Sequence, residues 1–296
     1  MRADVFKKTN KDYQQRINNF IGQFLNSHDN SNTELNQAIR YSLLAPGKRF
    51  RPLLCYATAR ALRCDENQVD FIAASLEMIH AYSLIHDDLP AMDDDDLRRG
   101  QATCHIKYGE ATAILAGDAL QTMAFELLTQ IPINANIIVK LILKLSQASG
   151  VHGMVGGQAL DLASENESLK LGELKKIHQL KTGALISASV EMVGLLNNNI
   201  NEQHQKILNH YGQNIGMSFQ IIDDVLDVVG DEAIIGKPIG SDQSLHKSTY
   251  PELMGLEQSK QAAIDHSHQA INALTGLPHD TTYLKKLAEY LITRQY

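Results

Sequence analysis

Apolar side chains recur every three to four residues over most of the chain. The spacing predicts helices at 11–25, 34–44, 52–62, 68–88, 110–130, 134–149, 173–195, 203–229, 257–274 and 281–293. Glycine and proline gather in short breaks between them, at Pro46-Gly47, Pro90, Gly100, Gly156-Gly157, Gly230 and from Gly236 to Gly240. No run of alternating β-branched residues bounded by turn residues demands a strand. No linker rich in proline, glycine or serine divides the chain, and no fixed-period repeat runs through it. A single all-α domain over 1–296 is the simplest reading.

Two of these helices are unusual. Residues 71–86 are apolar almost all round, which predicts a buried helix. Yet Glu77, His80, Ser83 and Asp87 fall on one stripe of it. The helix ending at Val229 repeats the pattern, with Gln213, Gly216, Gln220, Asp223/Asp224 and Asp227 forming a polar stripe on an apolar run. Burying carboxylates in such surroundings is costly unless each gains a cation or hydrogen-bond donors. Two such helices point to one shared cavity with cations in it.

Composition narrows the class. Of 296 residues, 44% are hydrophobic and 21% charged, which supplies a large core and excludes disorder and fibrous repeats. Seven prolines and no tryptophan fit a helix-rich chain. The 27 basic and 34 acidic residues give a net charge of −7, which argues against nucleic acid as the main partner. Cys55, Cys64 and Cys104 are odd in number and contain no CxxC pair, which suggests free thiols in a reducing compartment. The first twenty residues lack the apolar core of a signal peptide, and no apolar run is long enough to span a bilayer. The expectation is a cytoplasmic protein without stable membrane insertion.

The candidate chemistry lies in two acidic clusters. Asp87-Asp88 and Asp93 to Asp96 place six carboxylates within ten residues, followed at once by Arg98-Arg99. In the second cluster, Asp223 and Asp227 stand four apart, so a helix points both the same way. Oxygen-only ligands suit Mg²⁺ rather than zinc or copper. Mg²⁺ takes one or two carboxylates and leaves its other positions to water and phosphate, so facing clusters would clamp a diphosphate through bridging metals. An EF-hand starting at Asp93 would put Arg98 where glycine belongs. A di-iron bundle would need a second copy of Glu77-x-x-His80, and none is present. The basic counterpart includes Gly47-Lys48-Arg49-Phe50-Arg51-Pro52, which opens a helix and offers backbone N–H groups and three cations to an anion. Lys181-Thr182-Gly183, Gly236-Lys237 and Lys247 complete it.

These segments resemble a known family. Residues 86–100 (HDDLPAMDDDDLRRG) and 219–231 (FQIIDDVLDVVGD) are similar to the two aspartate-rich motifs of trans-isoprenyl diphosphate synthases. GKRFRP (47–52), GGQALDL (156–162), HQLKTGALI (178–186), GKPIGSD (236–242) and KSTYPEL (247–253) resemble further family segments in the same order. Within the family, the likeness is greatest to bacterial farnesyl diphosphate synthases. It covers the chain from about residue 35 onward.

The resemblance implies an isoprenoid-synthase bundle of about ten helices around a central cavity, a homodimer, and head-to-tail condensation. Asp87 and Asp93, helped by Asp88, and Asp223 with Asp227 are implied to hold up to three Mg²⁺ on an allylic diphosphate. Ionisation of that diphosphate gives an allylic cation, which the double bond of isopentenyl diphosphate attacks before a proton is lost. Lys48, Arg51, His80 and Arg99 match positions that bind isopentenyl diphosphate. Arg98, Lys181, Lys237 and Lys247 match positions around the allylic diphosphate, and Thr182 and Gln220 match polar groups near the cation. Apolar helix walls would keep water from that cation.

In this family, bulk just upstream of the first motif floors the tail pocket. Tyr82 stands five residues before Asp87, about 7.5 Å along a helix. The helical wheel puts Ser83 rather than Tyr82 directly beneath Asp87. Tyr82 and the two extra residues between Asp88 and Asp93 imply a fifteen-carbon product. Pro238 departs from the arginine common after Gly-Lys, and the final Arg294-Gln295-Tyr296 lacks the terminal basic residue often seen. A geranylgeranyl or geranyl diphosphate synthase and a subunit of a heteromeric synthase are the alternatives. A terpene cyclase would need an Asn/Asp-x-x-Ser-x-x-x-Glu motif, which residues 223–231 do not supply.

Overall fold

The computed structural model describes residues 1–28, 33–165, 167–197, 199–229 and 248–293. The protein is all-α, as the periodicity predicts. Two compact units are distinguished: Arg2–Tyr56 with Asp65–Ile142, and Ala57–Cys64 with the chain from Leu143 onward.

The first unit contains α1 (Ala3–His28), α2 (Glu34–Leu43), α4 (Glu66–Asp87), α5 (Cys104–Tyr108) and α6 (Glu110–Thr129), with the first half of α3 (Phe50–Leu62). Helix α4 starts where the Asp65 side chain accepts a hydrogen bond from the Asn67 N–H, the usual way of satisfying an otherwise unpaired helix-end donor. Val69, Ile72, Leu76, Met78, Ile79, Tyr82 and Ile85 on α4 are all buried. Its buried Asp70 is tied to α1 by Arg16, whose Nε and Nη2 donate at 2.7 and 2.8 Å. The Tyr56 hydroxyl donates to the same carboxylate at 2.5 Å. Three donors offset the loss of hydration that a buried carboxylate suffers.

The second unit is organised around α11 (Glu202–Val229), against which α10 (Ala184–Gly194), α13 (Leu256–Ala273) and α14 (Thr282–Thr293) pack. Buried hydroxyls cross these seams: Tyr211 donates to the Leu284 carbonyl, Ser218 to Ala263 and Ser267 to Ala288. Helices α8 (Met154–Ala163), α9 (Leu171–His178) and α12 (Tyr250–Met254) complete this unit, and α7 (Ala135–Ser149) has residues in each.

Several details differ from the periodicity. Helix α1 starts at Ala3, eight residues before the predicted start, because its first turns bury little besides Phe6 and carry no apolar stripe. The predicted helix 173–195 is α9 and α10 joined by a π turn at Gln179–Gly183. Helices α5, α8 and α12 were not expected from periodicity; two have only five residues, and α8 contains Gly156-Gly157. A short hairpin pairs β1 (Leu97–Arg98) with β2 (Gln101–Ala102), although no strand was expected. Arg99 and Gly100 both have positive φ, at 55° and 75°, as a tight two-residue hairpin turn requires.

Candidate active site

The first acidic cluster begins on the last turn of α4 and continues into a folded-back loop. The Asp93 N–H donates to the Asp87 carbonyl at 2.9 Å, and Asp94 N–H to Leu89 at 3.2 Å. Asp94 turns the chain with a φ of 53°. The loop therefore brings Asp93 back to Asp87 despite the two extra residues. Asp88 is buried and has a different role from its neighbours. Arg98 Nε donates to its two oxygens at 2.7 and 3.0 Å, and Nη2 donates to it as well. Asp95 is 3.4 Å from the same guanidinium. The β1–β2 hairpin supplies this arginine, and the fork geometry of guanidinium on carboxylate holds the loop's return.

His80 lies one to two turns upstream. Its pKa is held well below the usual imidazole value, first by loss of hydration and then by Arg51, Arg99, Arg98 and Arg49. The ring is neutral and sits in the field of four guanidinium groups, so an anion is the natural complement. Arg99 Nη1 donates to the Pro46 carbonyl at 2.7 Å, joining the hairpin turn to the Gly47–Pro52 segment. His80, Glu77, Arg49, Arg98, Arg99 and Asp88 line one pocket in this unit.

The expectation of three outward cations on Gly47–Pro52 needs correction. Arg49 is buried with a φ of 50°. It donates to Asn18 and to the carbonyls of Leu43 and Ala45, and lies 3.8 Å from buried Glu77. It anchors the turn, while Lys48 is exposed and Arg51 is half-buried in the first turn of α3. Spacing alone gave no sign that the middle cation faces inward. Tyr82 is 5% exposed, whereas the Ser83 hydroxyl is bonded back to the His80 carbonyl.

In the second unit, Lys181 and Thr182 lie in the π turn. Such turns widen a helix locally and recur at functional sites. Helix α8 approaches so closely that a Cβ on Gly157 would overlap the Lys181 backbone. Lys181 Nζ donates to Asp161 on that helix at 2.6 Å. The Thr182 hydroxyl donates to Gln220 Oε1 at 2.8 Å, and Gln220 Nε2 donates to Asp224 at 3.0 Å. Asp224 is buried and also accepts from the Tyr250 N–H at 3.0 Å. The His178 ring stacks on Tyr250 at 5.6 Å. Burial brings the His178 pKa down to about 4, with Asp161 raising it and Lys181 lowering it. Asp223 and Asp227 stand half-buried on α11, one turn apart. Lys237, Pro238, Lys247, the 236–242 segment and Arg294-Gln295-Tyr296 lie outside the described residues.

The sequence reading assigned no role to Asp161, His178 or Asp224. Asp224 and Asp161 sit inside the family-like segments, but the Tyr250 N–H and the Lys181 ammonium that hold them are 26 and 20 residues away in sequence. Among the described residues, no group of three or more His, Cys, Asp or Glu side chains forms a metal site. The three cysteines are free. No helix of the described residues is long and apolar enough to cross a membrane.

Residues 32–290 match the model of the polyprenyl synthetase family. A farnesyl diphosphate synthase of Haemophilus influenzae is 48% identical over 292 residues, covering 98% of this chain and 99% of the relative. A geranyltransferase structure from Legionella pneumophila superposes with a TM-score of 0.89 at 37% identity, covering 98% of each chain. A Helicobacter pylori geranyltransferase, complexed with magnesium and isoprenyl diphosphate, gives 0.83 at 37% identity, covering 96% of this chain and 95% of that one.

Proposed function

Because the chain belongs to the polyprenyl synthetase family, we propose that it is a farnesyl diphosphate synthase, condensing isopentenyl diphosphate head-to-tail with dimethylallyl and geranyl diphosphate. The observation that carries this reading is the pocket in which His80, Arg49, Arg98 and Arg99 stand together beside Asp88 of the first acidic cluster. An anion site built against a cation-binding motif suits a diphosphate bound through metal.

Asp87 and Asp93, with Asp88 as helper, and Asp223 with Asp227 are the residues that would hold up to three Mg²⁺ ions in this reading. Bound magnesium supplies charge neutralisation of the allylic diphosphate leaving group. Arg98 keeps Asp88 in place and lends positive charge beside the same motif. Lys181 is steered by Asp161, and with Arg98, Lys237 and Lys247 it is assigned to the allylic diphosphate. Lys48, Arg51, His80 and Arg99 are assigned to isopentenyl diphosphate. The neutral imidazole has one N–H to donate, and the cations carry the attraction. The Thr182 proton is engaged by Gln220, which leaves the hydroxyl oxygen as the negative end of a dipole able to stabilise an allylic cation. Buried Tyr82 is the floor that limits the product to fifteen carbons.

One family match running through 32–290 supports treating the chain as a single catalytic domain. A cytoplasmic homodimer is part of the proposal. Ile114 and Leu115 stand exposed on α6, at 43% and 55%, as an apolar contact face between copies would require. The test is a product assay. Isopentenyl and geranyl diphosphates are supplied with Mg²⁺ or with excess chelator, and product length is read by mass spectrometry. A metal-dependent fifteen-carbon product is expected. A twenty-carbon product would keep the chemistry and remove Tyr82 as the floor; no product from folded protein would favour a subunit of a heteromeric synthase.

A further inference from the structure

Tyr82 is supported by a residue to which neither the motif nor the chemistry assigns a role. His86 lies one helical turn beyond it on α4. The two rings meet edge to face, with centroids 5.7 Å apart and planes at 74°. On its other side the imidazole is seated on α6. Nε2 is 3.1 Å from the Ile114 carbonyl, which can only accept, so this nitrogen carries the proton. A Cβ on Gly117 would overlap the ring at Nε2, Cδ2 and Cε1. The glycine is therefore the seat that lets the imidazole lie between α6 and Tyr82. Asp118 stands 4.0 Å from the same nitrogen.

Tyr82 has little else to fix its orientation. Its hydroxyl is buried and makes no well-formed hydrogen bond. Burial pushes the phenol above its usual pKa, and the Gln121 side chain of α6, the nearest hydrogen-bonding group to the hydroxyl, opposes that shift. A buried ring with so weak a polar tie is oriented mainly by packing, and the edge of His86 provides it. With Nε2 bonded to Ile114, His86 is engaged with α6, although Asp87 follows it directly.

We propose that His86 is a positioning residue for product length: wedged between Tyr82 and the Gly117 turn of α6, it holds the Tyr82 ring across the tail pocket. This rests on the reading of Tyr82 as the floor. Replacing the imidazole by a methyl group frees the tyrosine to swing aside and admits a further five-carbon addition.

The test compares product lengths from Tyr82→Ala, His86→Ala, His86→Phe and the Tyr82→Ala/His86→Ala double variant, at matched conversion. Thermal melts accompany each. His86→Ala is expected to raise the twenty-carbon share by up to about tenfold, the bias one edge-to-face pair can impose. His86→Phe, which keeps an aromatic edge, is expected to restore the fifteen-carbon product. The double variant is expected to match Tyr82→Ala, because His86 acts through Tyr82. A destabilised but otherwise unaltered enzyme would lose yield and rate without changing length. Longer products from Tyr82→Ala with none from His86→Ala would overturn this inference and leave the floor intact. Unchanged products from Tyr82→Ala would remove the floor reading itself. Equal lengthening by His86→Phe and His86→Ala would assign the effect to the Ile114 hydrogen bond and overturn support by the ring.

Discussion

The two aspartate-rich motifs hold their inner carboxylates in opposite ways. In the first, Asp88 is gripped by the Arg98 guanidinium, ten residues away, through a hairpin built for that return. In the second, Asp224 accepts from the Gln220 amide and from the Tyr250 backbone N–H. The first motif needs a loop and a positive φ at Asp94 to bring Asp93 back to Asp87, whereas one helical turn places Asp223 and Asp227 together. A short repeat of aspartates thus specifies residue type, not the way each is held. In both motifs the second aspartate is tied into the protein by strong donors.

The largest expected effect tests what the motifs share. Asp87→Ala and Asp223→Ala should each lower turnover by orders of magnitude while circular dichroism and the melt stay near wild type. Near-normal turnover in either would remove that motif's magnesium role. Arg98→Ala leaves the buried Asp88 carboxylate without its fork and should cost about 3–5 kcal/mol in chemical denaturation. The third effect belongs to the second unit. Folded His178 titrates at about 4 against a usual 6.5, so between these values the unfolded chain takes a proton that the folded chain refuses. Its contribution is complete above pH ~6.5 and is lost as the pH falls towards 4, by up to about 3 kcal/mol. His178→Gln should flatten the stability–pH curve over that window; an unaltered slope would show that His178 does not stay neutral. Asp224→Asn keeps one acceptor and turns an NH2 group against the other donor, for about 1–3 kcal/mol. If it costs as much as Arg98→Ala, the contrast between the guanidinium fork and these two amide donors collapses.

Much of this was legible beforehand. The 3.6-residue period marked the long helices because each buries one face, and the stripes on 71–86 and 213–227 singled out the elements that carry the acidic motifs. Helix α12 also had a readable start: Thr249 and Glu252 form a capping box around Pro251, a signal shorter than the period can register. The π turn had none. Lys181 and Thr182 continue a helical pattern, and the widened turn is visible only where α8 meets it.

Residue chemistry and local spacing were enough to establish an all-α chain, the identity of its acidic and basic segments, and the pairing of Asp223 with Asp227, because these depend on neighbours within a turn or two. The inward turn of Arg49, the clasps on Asp88 and Asp224, the Lys181–Asp161 pair and the seat of His86 on Gly117 came from the folded molecule alone. Each joins a charge or a ring to a partner on another element, and burial decides those pairings: a polar group removed from water must find its donor wherever the packing puts one.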